Sequence, residues 1–166
     1  MGVCGCGKST VGEALANAVH WPFLDADDFH PQANVEKMAR GEPLTDDDRW
    51  PWLDRIGAEL TSILARGGHA VLACSALKAA YRERLARAGD VRFVHLHGDY
   101  QTIATRLASR QHRYMPASLL ASQFATLEMP VDALTVDVGD RVDAQVAKIV
   151  AAHRLAAQSA VHAADG

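Results

Sequence analysis

The chain has 166 residues, of which 49% are hydrophobic and 22% charged, and a formal net charge of −3. This length fits one domain, large enough to bury a core without a disulfide or metal staple. The slight negative charge excludes a strongly basic nucleic-acid binder, and no apolar run approaches the ~18–20 residues that span a bilayer. Neither nucleic acid nor a membrane is therefore expected as a partner. No basic segment followed by an apolar stretch opens the chain, and Cys4, Cys6 and Cys74 make an odd count. Both features lead us to expect reduced thiols and a cytoplasmic setting.

The chain enters a glycine-rich loop almost at once. Helix is predicted over 9–19, where Val11, Leu15 and Val19 recur at spacing four on one face. A short strand over 23–25 ends in acids, and a short helix over 34–40 is closed by Gly41 and Pro43. Three aspartates, Asp46 to Asp48, suit the positive end of a helix predicted over 48–66 and stopped by Gly67-Gly68. A buried strand over 70–74, a helix over 78–87 and a strand over 91–96 come next. Helices over 100–110 and 119–127, a strand over 134–138 and a terminal helix from 142 complete the series. Alternating strands and helices predict an α/β fold with a parallel sheet covered on both faces.

The opening loop reads Gly2-Val3-Cys4-Gly5-Cys6-Gly7-Lys8-Ser9, the full G-x-x-x-x-G-K-[ST] pattern of a nucleotide phosphate site. Its glycines let successive backbone N–H groups turn inward, and the following helix adds its positive end. Lys8 is expected to reach the β- and γ-phosphates, Ser9 to ligate Mg²⁺, and Thr10 to donate to the α-phosphate. Cys4 and Cys6 read as small side chains where serine would also fit, because Cys-x-Cys without further ligands is a poor metal signature. A thiol at a helix N-terminus is also more reactive than usual in some settings.

Asp25-Ala26-Asp27-Asp28 lies at the carboxyl end of a predicted strand, where open α/β sheets bind ligands. Asp25 is a candidate for holding metal-bound water. Asp27 is a candidate for accepting the proton of an attacking hydroxyl; a solvated acidic turn is the alternative for the pair. Arg49, alone among acids, fits either a substrate carboxylate or a surface ion pair. Ser75, Lys78 and Arg82 fall near the same sheet edge. Arg106 and Arg110 share a helix face, with Arg113 and Pro116 beyond them, a layout that suits either a mobile lid or a solvated basic face. His95 and His97 share a strand face without a third ligand. His30 is the histidine nearest the acids.

Together these residues resemble the thermoresistant-type gluconokinases, small P-loop kinases related in fold to shikimate and nucleoside-monophosphate kinases. The resemblance rests on residues 2–10 and on Phe23-Leu-Asp-Ala-Asp-Asp-Phe-His30. It rests further on Cys74-Ser-Ala-Leu-Lys78 with Tyr81-Arg82, and most specifically on the block from Asn34 to Leu53 and on Leu119-Leu-Ala-Ser-Gln-Phe-Ala-Thr-Leu-Glu128, since the glycine-rich loop is shared more widely. It implies ATP- and Mg²⁺-dependent phosphorylation of D-gluconate at its 6-hydroxyl, a cytosolic homodimer, and a five-stranded parallel sheet with the loop strand in its centre. By position, Asp27 becomes the acceptor-side acid, Arg49 the carboxylate partner, Arg106 a neighbour of adenine and Arg110 of the phosphates. His30, Ser75, Lys78 and Arg82 complete the expected substrate wall.

The sequence departs from that family in three places. Cysteines replace loop serines, the lid (about 111–118) carries His112-Arg113-Tyr114-Met115 in place of Gly-His-Phe-Met, and only Met1 stands where the family has its first strand. The sheet is therefore expected to lack that strand. Two rival readings accompany the kinase assignment. A shikimate kinase would carry a Gly-Gly-Gly run after the third strand, where this chain has Ser75-Ala76-Leu77. A truncated, catalytically inactive nucleotide-binding protein would follow from the absent strand.

Overall fold

The structure is a computed structural model and describes residues 1–109 and 117–155. Helix α1 (Lys8–Val19) follows the loop, and β1 (Phe23–Asp25) runs into a 3-10 turn, Ala26–Phe29. Next come α2 (Gln32–Ala39), α3 (Asp46–Ala65), β2 (Val71–Ala73), α4 (Ala79–Ala86) and β3 (Val94–His97). Helices α5 (Tyr100–Ser109) and α6 (Ala117–Thr126), strand β4 (Leu134–Asp137) and helix α7 (Val142–His153) follow.

All the expected elements form, with shifted ends. Helix α3 starts at Asp46 because Thr45 caps it: its side chain accepts from Asp48 N–H while the Asp48 carboxylate accepts from Thr45 N–H, 2.7 Å away. The 3-10 turn is the element that hydrophobic periodicity does not predict. It forms because the Asp25 side chain accepts from Asp27 N–H at 3.1 Å.

The sheet differs from the five-stranded form implied by the resemblance. It consists of two parallel pairs, β1–β2 and β3–β4. Between them, among the described residues, Met1 and Gly2 bridge one end of the centre: Leu96 N–H donates to Met1 O, the Met1 amine to Val94 O and Gly2 N–H to Ser75 O. Helices cover both faces. One core joins Val11, Leu15 and Val19 of α1 to Val136, Ile103 and Ile149; the other joins Trp52, Leu53 and Ile56 of α3 to Cys74, Tyr81 and Leu85. At roughly 1.5–3 kcal/mol per fully buried large side chain, these clusters hold the helices on the sheet and fix the strand ends from which the site projects.

Candidate active site

The glycine-rich loop takes the conformation its sequence requires. Gly5 (φ +79°) and Gly7 (φ +97°) sit in the left-handed region, and a Cβ on Gly5 would lie 2.5 Å from Leu107 Cγ. Gly7 caps α1, so the N-terminal turn of that helix, with Lys8, Ser9 and Thr10, opens directly onto the loop. Gly2, Val3 and Cys6 are buried and root the loop in the core; Ser9 and Thr10 are exposed. The Lys8 ammonium donates to Val3 O at 3.1 Å, folding its side chain back across the loop. Burial pushes the Cys4 thiol above its ordinary pKa, which makes it less reactive, and Cys6 is enclosed.

Strand β1 delivers the acids to this loop. Ser9 Oγ donates to Asp25 Oδ2 at 3.0 Å, placing two hard oxygen donors side by side at the start of α1. Two residues on, Asp27 stands 88% exposed in the cleft. Its carboxyl is raised above its ordinary pKa, first by desolvation, then by the like charge of Asp25, against the pull of Lys8, with a smaller push from Asp28. The turn that aims Asp27 is fixed from below: the buried Trp52 indole donates to Ala26 O at 2.7 Å.

His30 lies behind Asp27, its Nε2 3.9 Å from Asp27 Oδ1 and its side chain only 4% exposed. The ring stacks on Trp52 at 4.4 Å, and Asn34 Nδ2 approaches its Nδ1 at 3.4 Å. Burial, reinforced by the positive charge of Arg49, pushes its pKa down to about 4. At neutral pH it is an uncharged, immobilised ring, suited to positioning Asp27 rather than to carrying charge.

The second wall comes from α3 and α4. Asp46 accepts two hydrogen bonds from Lys78 Nζ, at 2.7 and 2.8 Å, and one from the Tyr81 hydroxyl. Arg49 lies over the Tyr81 ring, 5.7 Å from its centroid, and Lys78 approaches the same ring. The structure thus sets His30 beside Asp27, and Arg49 and Lys78 together at the Tyr81 ring. Ser75 adjoins the loop through its carbonyl, which accepts from Gly2. Arg82 has a different setting: it is buried, and its guanidinium donates to Ala76 O and Leu77 O at 3.0 Å each. That bond pair braces a turn in which Ala76 has φ +42°, so Arg82 supports the wall from behind.

Arg106, expected near adenine, donates to Val138 O at 2.5 Å, which ties α5 to the loop after β4. Arg110 and residues 111–116 of the expected lid lie outside the described residues. Periodicity and motif spacing missed two contacts. Gln123 Oε1 accepts from Cys4 N–H at 2.6 Å and links α6 to the phosphate loop. Glu128 accepts from Ala79 N–H at 2.6 Å at the start of α4. Both residues fall in the 119–128 block, whose distinctive sequence was the available signal. His95 and His97 form an edge-on ring pair with centroids 5.5 Å apart; among the described residues, no group of three or more His, Cys, Asp or Glu that could hold a metal occurs.

The family model described as shikimate kinase matches residues 4–150. Within that broad match, the gluconokinase of Gluconobacter oxydans is 51% identical over 134 residues, covering 80% of this chain and 75% of its own length. The chain belongs to the gluconokinase family. The thermoresistant gluconokinase of Escherichia coli is 39% identical over 155 residues, with 90% and 89% covered. A crystal structure of a gluconokinase from Sinorhizobium meliloti superposes with a TM-score of 0.81 at 42% identity, covering 93% of each chain. No helix among the described residues is long and apolar enough to cross a membrane.

Proposed function

We propose that this chain transfers the γ-phosphoryl group of ATP to the 6-hydroxyl of D-gluconate, giving 6-phospho-D-gluconate and ADP. The observation that carries this reading is the Ser9–Asp25 hydrogen bond at 3.0 Å. It joins the phosphate loop to the turn that presents Asp27, so donor and acceptor sites share one cleft. The oxygen pair fits Mg²⁺, which when bound neutralises charge on the β- and γ-phosphate oxygens.

Lys8 leaves Val3 O to hold the phosphates, and the loop amides line them. Asp27 orients the 6-hydroxyl and accepts its proton as the oxygen–phosphorus bond forms and the bond to ADP breaks. A loose transition state asks little base strength of Asp27, so its position matters more than its pKa. Arg49 offers its planar fork to the gluconate carboxylate, with Lys78 and Ser75 on the acceptor hydroxyls. Arg106 belongs to the adenine side and Arg110 to the phosphates. A cytoplasmic homodimer is the setting that accompanies this reading.

A coupled ADP-release assay across gluconate, shikimate and related sugar acids tests the reading. Gluconate is expected to be the preferred acceptor. Lys8→Ala is expected to abolish turnover while thermal unfolding stays cooperative; near-normal turnover in that variant would overturn the assignment.

A further inference from the structure

Helix α2 buries a polar residue where an amphipathic helix ordinarily places an apolar one. Asn34 is 4% exposed and is the residue of α2 that the fold encloses. A buried carboxamide is destabilising unless its hydrogen bonds are made, and this one makes two contacts through a single nitrogen. Asn34 Nδ2 donates to Asp48 O at 2.8 Å and lies 3.4 Å from His30 Nδ1. A carbonyl only accepts, so the Asp48 contact fixes which end of the amide is the NH₂ group. Its second N–H is then the one that meets His30.

That contact decides where the His30 ring carries its proton. A neutral imidazole has one donor nitrogen and one acceptor nitrogen. Facing an N–H, Nδ1 is the acceptor, so the proton is assigned to Nε2. The ring has no room to turn over and exchange the two. Its side chain is 4% exposed, and it stacks on Trp52 at 4.4 Å with 10° between the planes. Nε2 is the nitrogen on the Asp27 side, 3.9 Å from Oδ1. That gap exceeds a hydrogen bond, but the Asp27 side chain is exposed and has room to close it, whereas the ring is held.

We infer that Asn34 is a positioning residue of the acceptor site, holding His30 as its Nε2–H tautomer so that an N–H donor faces the Asp27 carboxylate. A rotation of Asp27 brings Oδ1 onto that donor and leaves Oδ2 for the acceptor hydroxyl. An N–H bonded to a carboxylate is stronger than a neutral pair, so one such bond suffices to choose a rotamer for an exposed acid. The opposite tautomer sets a nitrogen lone pair against the same oxygen and repels it. Asp48, whose carbonyl holds the amide, immediately precedes Arg49. One side chain thus ties the ring behind Asp27 to the turn that carries the arginine. The functional part of this inference rests on the reading of Asp27 as the acceptor-side acid; the tautomer does not.

Long-range proton–nitrogen NMR spectra of the full chain read the tautomer directly, and the ring signal missing from His30→Gln assigns it. The Nε2–H form is expected. Asn34→Asp replaces the donor by an acceptor of the same shape and should convert the ring to Nδ1–H, read at about pH 8.5, where an ordinary histidine is neutral. In a coupled assay with gluconate at that pH, kcat should fall about tenfold or more, the scale of a lost hydrogen bond to a charged group, while the KM for ATP stays within about twofold. In a His30→Gln background, whose amide has no tautomer to set, the same substitution should lower kcat less than about threefold. Asn34→Leu removes the donor without adding a charge and keeps the test open if the first chain folds poorly: its ring should admit both tautomers, with an intermediate kcat. An Nδ1–H ring in the parent chain, a tautomer indifferent to both substitutions, or an equal loss of kcat with and without His30 would overturn the inference. Asp27→Asn in the same assay separates the two readings. A fall there with unchanged kcat in Asn34→Asp overturns this inference alone; no fall in either overturns the role of Asp27 and this inference with it.

Discussion

Gly5→Ala isolates the steric requirement of the phosphate loop. The new Cβ would lie 2.5 Å from Leu107 Cγ and 2.7 Å from Leu107 Cδ2, on a backbone with φ +79°. The left-handed conformation costs a non-glycine residue about 1–2 kcal/mol, and overpacking adds about 1–3 kcal/mol. The loop relieves both by leaving its phosphate-binding shape, so a loss of about 2–5 kcal/mol falls mainly on nucleotide affinity. At 1.4 kcal/mol per tenfold, Mg-ATP binding should weaken by at least about 30-fold in titration calorimetry. Gly5→Ala/Leu107→Ala removes the clash and leaves the strain, so it should recover to within about 5- to 30-fold of the parent chain. Gly7→Ala is the control: its φ is +97° but its Cβ would meet nothing within 4 Å, so Leu107→Ala should not rescue it. Binding by Gly5→Ala within threefold of the parent, or a double variant no better than the single, would refute the reasoning.

Four further outcomes follow from the same geometry. Asp27→Asn should lower kcat far more than it weakens ATP binding, and unchanged turnover would remove its role. Trp52→Phe leaves Ala26 O without its indole donor, which costs about 1–3 kcal/mol; a fall in both Tm and kcat in thermal melts and initial-rate assays is expected. Gln123→Ala frees the Cys4 amide and should weaken ATP binding without moving the gluconate KM. His30 and His95, both pushed down to about 4 by burial, stay neutral in the folded chain while the unfolded chain takes up protons near pH 6.5. The unfolded state therefore binds more protons, and stability should fall as pH drops from about 6.5 toward 4. In urea melts, His95→Leu should flatten that slope.

The parts of this site that were legible in the sequence depend on spacing along the chain. The loop motif specified Gly2 to Ser9 because phosphate binding needs successive residues, and the strand before Asp25 located the acids because strand ends are where ligands sit. The helices were readable from their apolar faces, although α3 begins two residues earlier than its acids suggested. There the deciding signal was Thr45 three residues before Asp48, a capping pair. The contacts that escaped are those between distant segments. Trp52 reads as one more apolar residue of α3, yet its indole bond crosses 26 residues to Ala26 O. Gln123 reaches Cys4 across 119 residues. Neither bond leaves a periodic trace, because only the folded arrangement brings its partners together.

Arg82 shows the same limit from the opposite side. Its type and position beside Lys78 suited an acceptor wall, since arginine is the usual partner of carboxylates. In the fold, however, α4 turns Lys78 to Asp46 and buries Arg82 beneath the 76–77 turn, where two carbonyls accept from it. Two carbonyls accept from this buried guanidinium, and burial lowers its pKa against the opposing pull of the Glu128 and Glu83 charges. Such a residue persists where it fixes a backbone that would otherwise relax, here the turn with Ala76 at φ +42°. Arg82→Lys retains the charge and loses the fork, so it separates the two roles. A bracing residue should lose Tm with little change in gluconate KM, whereas a substrate ligand should lose gluconate affinity at unchanged Tm.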